Sequence, residues 1–191
     1  MKKGCRLGRR PEKQGPRHQL SNRDWVDKLA TERKLKVTKE ELSIGTWNVR
    51  TLWAAGKLDL LNMEMERYRC DILGIAEMRC TGAGEMDGCS VIWSGDETKH
   101  EAGVGFLLNK KARGAMLGYK PVSDRIIVAR FQAQPFNISV IQIYAPTSDS
   151  TQEEVDTFYG SLLQTMTEIS RRDILVIGGD WNAKVGQGTD G

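Results

Sequence analysis

Histidine is almost absent from these 191 residues, with only His18 and His100 present, and the four cysteines (Cys5, Cys70, Cys80, Cys89) form no C-x-x-C pair. That scarcity argues against a structural zinc site. No apolar run approaches the ~20 residues needed to cross a bilayer, so no membrane partner is expected. The N-terminus is basic but has no apolar stretch behind it, so it does not read as a secretory signal. Free thiols in a reducing compartment, nuclear or cytoplasmic, follow from that reading.

What is present describes a soluble globular protein: 39% hydrophobic and 28% charged residues. The length suits one sizeable core and is short for two domains. The net charge of +3 hides an asymmetry. Residues 1–43 carry 13 Lys/Arg against 6 Asp/Glu, whereas the remainder carries 15 against 19. Residues 1–23 hold eight basic side chains opposed only by Glu12, with Gly4, Gly8, Pro11, Gly15 and Pro16 among them and almost no aliphatics. Residues 1–42 are therefore expected to form a basic, largely disordered leader ahead of a folded domain spanning 43–191. The leader reads either as an arm for nucleic acid or as a solvated tail with no specific role.

Residues 24–41 read as loosely helical, too poor in apolar residues for a core face. A helix is expected over Leu58 to Arg69, where Leu58, Leu61, Met65 and Tyr68 share one side. Strands are expected at Ser90 to Trp93 and Gly103 to Asn109. Arg125 to Phe131 and Phe136 to Tyr144 read as a hairpin turning near Gln134-Pro135. Ser150, with Glu153 three residues on, reads as a capping box. The helix after it would bury Val155, Phe158, Tyr159, Leu162, Leu163, Met166 and Ile169, with Arg171 and Arg172 at its C-terminal end. The pattern, βα, several strands, then αβ, implies an α/β protein with a layered sheet and helices outside.

Four apolar runs each stop on a residue that can hold a metal ion or a phosphate. Residues 43–47 run into Asn48, residues 71–76 into Glu77, residues 138–143 into Tyr144, and residues 174–179 into Asp180, with Asn182 two further on. Ligands in helix-covered sheets gather beyond the carboxyl ends of strands, so four such endings suggest one shared polar mouth. Hard oxygen donors of this kind suit magnesium or manganese, and Tyr144 can donate to a phosphate oxygen. Taken singly, Asn48 is a turn former, Tyr144 a half-buried aromatic, and Asp180 with Asn182 an Asx-type turn. Glu77 is harder to dismiss, because it follows a buried apolar edge. As an ordered set, their chemistry is the simpler account.

Trp47-Asn48-Val49-Arg50, Asp71-Ile72-Leu73 leading to Glu77, Tyr144-Ala145-Pro146 and Gly179-Asp180-Trp181-Asn182 occur in that order. From about Leu42 to Gly191 the set resembles the endonuclease/exonuclease/phosphatase superfamily. In texture it is most similar to the endonucleases of RTE-type LINE retrotransposons and the craniofacial development protein 2 group. The resemblance implies a DNase I-like β-sandwich flanked by helices and a Mg²⁺-dependent DNA endonuclease (Mn²⁺ as an alternative ion). It makes Glu77 the main metal ligand with Asn48 beside it. Asp180 would orient or deprotonate water, Asn182 would hold the phosphate or Asp180, Tyr144 would bind phosphate, and Arg50 would contact DNA.

The resemblance also implies a later Asp and a C-terminal Asp-His pair, which these 191 residues do not supply. The expected fold is accordingly incomplete at its C-terminus, with an exposed edge, and the expected activity weak or absent. Two other readings stay open: a non-catalytic interaction protein or retroelement-derived fragment, and a phosphatase acting on a lipid or inositol phosphate.

Overall fold

The computed structural model describes residues 26–27, 35–36, 42–52, 56–86 and 91–183. Most of the basic leader, including residues 1–23, lies outside them. In chain order the elements are β1 (Val26–Asp27), β2 (Leu35–Lys36), β3 (Ile44–Asn48), α1 (Lys57–Arg67), β4 (Ile72–Ala76), β5 (Ala83–Met86), β6 (Val91–Ser94) and β7 (Val104–Leu108). There follow α2 (Lys110–Ala115), β8 (Met116–Ser123), β9 (Ile126–Phe131), β10 (Ala133–Gln134), β11 (Ile138–Tyr144), α3 (Gln152–Glu168) and β12 (Ile174–Asp180).

The strands form two five-stranded sheets, ordered β3-β4-β7-β6-β5 and β1-β8-β9-β11-β12, and a two-stranded pair of β10 with β2. Each five-stranded sheet is antiparallel except for one parallel pair at its edge, β3 with β4 and β11 with β12. Each parallel pair is the product of a strand–helix–strand crossover, through α1 in one sheet and α3 in the other, because parallel neighbours need a long connection. The architecture is thus a layered sandwich with helices outside, the DNase I-like class expected from the motifs.

Period-two side-chain alternation sorts the apolar residues into three layers. Ile72, Phe106, Ile127, Phe131 and Val140 meet between the sheets. Leu73 and Ile75, the opposite face of β4, pack on Leu61 and Met65 of α1. Ile141 and Ile143 pack on Phe158 and Leu162 of α3. A strand covered on both faces needs no polar side, which is why β4 reads as an unbroken apolar run.

Several local expectations need correction. Residues 26–27 and 35–36, inside the segment read as loosely helical, are short strands paired with β8 and β10. The capping box of α3 is Thr151 with Glu154, one residue later than Ser150 with Glu153, because Ser150 is used in the preceding turn, its N–H bonding the Thr147 carbonyl. Tyr159 and Leu163 are 42% and 63% exposed, since a helix lying on a sheet buries a narrower stripe, here Phe158, Leu162 and Thr165. Tyr68 caps α1 and is exposed. Arg171 and Arg172 lie in the turn beyond α3, which ends at Glu168. Neither α2 nor β5, β8 and β10 was expected. Among the described residues no helix is long and apolar enough to cross a membrane.

At the end of the second sheet where β11 and β12 begin, Asp173 ties three strands. Its carboxylate accepts from Arg130 Nε at 2.7 Å, Arg130 Nη2 at 2.9 Å and Ser139 Oγ at 2.8 Å, and its side chain is 2% exposed. Burial pushes the Asp173 pKa up, but the bonds from Arg130 and Ser139 outweigh it and hold it below the ordinary aspartate value. A depressed carboxyl stabilises the fold fully above its unfolded pKa and loses that contribution as pH falls through the folded one. Asp173→Asn should therefore cost about 1.5–3 kcal/mol at neutral pH. The deficit should shrink below about pH 4; urea denaturation across that pH range measures both.

A second interaction joins a buried side chain of one sheet to the facing sheet. Gln142, 1% exposed, exchanges hydrogen bonds with Thr46 of the facing sheet, its Nε2 donating to Thr46 Oγ1 at 3.0 Å and its Oε1 accepting at 3.5 Å. Gly74 of β4 leaves the space, because a Cβ there would lie 1.9 Å from Gln142 Oε1. Gly74→Ala should destabilise by about 1–3 kcal/mol, and Gln142→Ala in the same chain should recover part of the loss. Denaturation midpoints of the two single variants and the double variant test the coupling.

Candidate functional site

Parallel pairing sets the site's position. In register, Asn48 lies opposite Ala76 and Tyr144 opposite Asp180, so each pair delivers its last residues to the same end. The edge strands β3 and β12 meet across the sandwich, and Asn48 reaches both carboxylates there. Its Nδ2 donates to Glu77 Oε1 at 2.6 Å and to Asp180 Oδ2 at 2.9 Å. Its own Oδ1 accepts from the Arg50 backbone N–H at 3.1 Å. One amide thereby holds two acids from two sheets.

The backbone around the mouth is unusual. Of six non-glycine residues with positive φ among the described residues, five lie here: Arg50 at 46°, Thr51 at 85°, Glu77 at 54°, Arg79 at 55° and Asn182 at 47°. Each such residue costs roughly 1–2 kcal/mol, and residues so held cluster at functional sites. The pairing of β3 with β4 carries on through this strained stretch: Val49 N–H bonds the Ala76 carbonyl, Thr51 N–H that of Glu77 and Leu52 N–H that of Met78. Gly179, at φ 147°, lies against β11, where an added Cβ would meet the Ile143 carbonyl at 2.1 Å.

The Asp180 carboxylate is held at both oxygens, Oδ2 by Asn48 and Oδ1 by the Asn182 backbone N–H at 3.1 Å. The Asn182 amide donates to the Ala145 carbonyl at 2.7 Å. Asn182 thus forms the Asx turn and also ties its loop to β11. Tyr144 is half-buried. Burial, then the negative charge of Glu77 and a hydrogen bond to it, push the phenol above its ordinary pKa, while Arg125 opposes the rise. At neutral pH Tyr144 is a protonated donor. Arg79 Nη2 lies 3.5 Å from Glu77 Oε2, an exposed pairing of small energetic value. Arg50 is exposed at the same rim.

The structure therefore joins Glu77 and Asp180 through Asn48 and sets Tyr144, Asn182 and Arg50 beside them. His100 joins no carboxylate there; its Nδ1 lies 2.8 Å from the Arg79 carbonyl. His18 lies outside the described residues. Sequence reasoning missed Gln142, Arg79 and Arg125; a polar residue in the middle of an apolar run was the available sign for Gln142.

Two carboxylates and no thiol or imidazole suit a hard cation. Magnesium takes one or two carboxylates and completes its shell with water and phosphate oxygens. Among the described residues no three His, Cys, Asp or Glu side chains converge. The Asn48 amide oxygen is engaged by Arg50, so Asn48 braces the acids with its NH₂ group.

No family model matches the chain. Craniofacial development protein 2 of Bos taurus is 45% identical over 163 residues, 84% of this chain, and that of Tragulus javanicus is 44% identical over the same length and share. The chain spans 27% and 28% of those two relatives. Among solved structures, a 3′ phosphatase, NExo from Neisseria, bound to a product DNA hairpin, matches with a TM-score of 0.56 and 21% identity, over 74% of this chain and 58% of its own. The endonuclease domain of TRAS1, a telomere-specific non-LTR retrotransposon, matches at 0.53 and 16%, over 76% and 61%. An AP endonuclease from Archaeoglobus fulgidus matches at 0.51 and 21%, over 73% and 57%. The chain is a homologue of part of craniofacial development protein 2 and has the fold of the endonuclease/exonuclease/phosphatase superfamily.

Proposed function

We propose that this chain carries the metal-binding and water-activating part of a phosphodiester hydrolase acting on DNA. The observation that carries the reading is the single Asn48 amide bonded to Glu77 and Asp180 together. Folding has brought two acids together at a strained, partly exposed mouth, where their charges call for a cation.

Glu77 would hold Mg²⁺, with Asp180 close enough to share its charge. Bound there, the ion supplies charge neutralisation at a phosphate and a more acidic water. Asp180, fixed at both oxygens, is placed to accept a proton from water. Asn48 keeps both acids oriented, Tyr144 donates its phenolic proton to a phosphate oxygen, and exposed Arg50 meets the backbone of the nucleic acid. DNA is favoured over a lipid phosphate because structures of this fold include one bound to a DNA hairpin. A nuclear setting belongs to the same reading, and the basic leader would add phosphate contacts that weaken with salt.

Turnover by residues 1–191 alone should stay near background. Among the described residues no histidine stands in the carboxylate cluster, and a missing acid–base group typically costs ~10²–10⁴ in rate. The non-catalytic reading therefore differs from this one in metal binding, which the proposal requires. Titration calorimetry with Mn²⁺ should show one site, lost in Glu77→Ala and weakened about 10–100-fold in Asn48→Ala, as expected when a bracing partner is removed. Unchanged affinity in Glu77→Ala would sink the assignment. In a supercoiled-plasmid nicking assay with Mg²⁺, the 191-residue chain should cleave near background; rapid cleavage abolished by Glu77→Ala would keep the hydrolase but refute the role given to the missing histidine.

A further inference from the structure

We propose that Arg125 is the positioning residue of this mouth, fixing the ring of Tyr144 and the loop of Asn182 with one guanidinium. The functional weight of the inference rests on the roles proposed above for Tyr144 and Asn182; the contacts themselves do not.

Arg125 immediately precedes β9, and its carbonyl accepts the Tyr144 N–H at 2.9 Å. Its side chain then turns back over the same residue, with the guanidinium carbon 5.1 Å from the centroid of the Tyr144 ring. Nη1 lies 3.4 Å from the Tyr144 carbonyl and 3.5 Å from the Ala145 carbonyl. That Ala145 carbonyl also receives the Asn182 amide at 2.7 Å, and Ala145 N–H bonds the Asp180 carbonyl at 2.8 Å. Arg125 and Asn182 thus share one acceptor, and the residue carrying it is bonded to the backbone of Asp180.

Among the described residues no carboxylate lies within ion-pairing distance of Arg125. Its charge is directed to an aromatic face and two carbonyls. A planar guanidinium can stack on a ring and donate in its own plane at once, which a lysine ammonium cannot do. A phenol that must meet a phosphate oxygen gains from this, since small displacements of a positioning group lower rates steeply.

The test uses the full 191-residue chain without metal or DNA, with ring-labelled tyrosine observed by NMR. Tyr144 is assigned by the signal lost in Tyr144→Phe, leaving Tyr68, Tyr119 and Tyr159 as internal references. Arg125→Met keeps the stem and removes the charge and donors. It should shift the Tyr144 ring resonances and average them by faster ring motion, with the other three unchanged, and Arg125→Lys should recover only part of the shift. An unmoved Tyr144 signal in either folded variant overturns the proposal. A change spread equally over all four tyrosines also overturns it, because that is what a merely structural arginine would give. Should Arg125→Met fail to fold, the lysine variant decides by the same two criteria. Failure of Mn²⁺ binding with the ring result intact would remove the hydrolase reading and leave the Arg125–Tyr144 coupling standing.

Discussion

The hydrogen bonds from Asn48 to Glu77 and Asp180 join the two sheets at the end where β3 and β12 finish. Asn48 and Asp180 close β3 and β12, the edge strand of each sheet, and Glu77 follows β4. Two ionised acids meeting across a seam would repel unless something between them donated to both, and a neutral amide with two N–H groups does so without adding charge. Everything else at the mouth is arranged around that contact. The left-handed residues turn the chain where the strands stop, and the Asx turn at Asn182 takes the remaining Asp180 oxygen.

The same seam is braced one layer further in. Gln142 and Thr46 form a polar clasp that reaches from the apolar interior to the exposed Thr46 of β3, and a buried polar group such as the Gln142 amide specifies alignment more than it adds stability. Apolar packing alone would tolerate a small slip of one sheet over the other. The Gln142 amide would not, because a slip takes it from Thr46 and leaves it unsatisfied in a medium of low dielectric. Gly74 belongs to this device, since the glutamine occupies the volume a side chain there would need. The precision of the mouth therefore depends on a residue that touches none of the proposed chemistry.

How much of this could be read from the sequence followed the physics of each segment. The β-branched runs before Glu77 and Tyr144 were legible because strands covered on both faces are almost wholly apolar, and the run before Asp180 stood out although the edge strand β12 is only partly buried. The ordered polar endings then located the mouth. What stayed hidden was of two kinds. β5, with the sequence Ala83-Gly84-Glu85-Met86, and β8, broken by Gly118 and Pro121, owe their state to neighbouring strands, and local propensity says little about them. Arg125 and Gln142 act through partners far along the chain, and no spacing rule predicts a ring 19 residues away. The cap of α3 erred by one residue because Ser150-x-x-Glu153 and Thr151-x-x-Glu154 satisfy the same pattern; only the turn at Thr147 decides between them.

Site and fold are finally one problem here, because Asn48 and Asp180 stand on edge strands and Glu77 directly follows the neighbour of one of them. In each sheet the outer partner of the parallel pair is held on one side only, β3 by β4 and β12 by β11. Trp47 and Trp181, beside Asn48 and Asp180, are each 41% exposed, so apolar contact contributes less at this end than it does under α1 and α3. Polar contacts must then carry the alignment, through Asn48 at the rim, Gln142 within and the Ala145 backbone that gathers Arg125, Asn182 and Asp180. A cation placed between Glu77 and Asp180 would act on the same seam, drawing together two strands that the amide already holds in register. Binding energy gained at the mouth would for that reason also appear as stability of the sandwich.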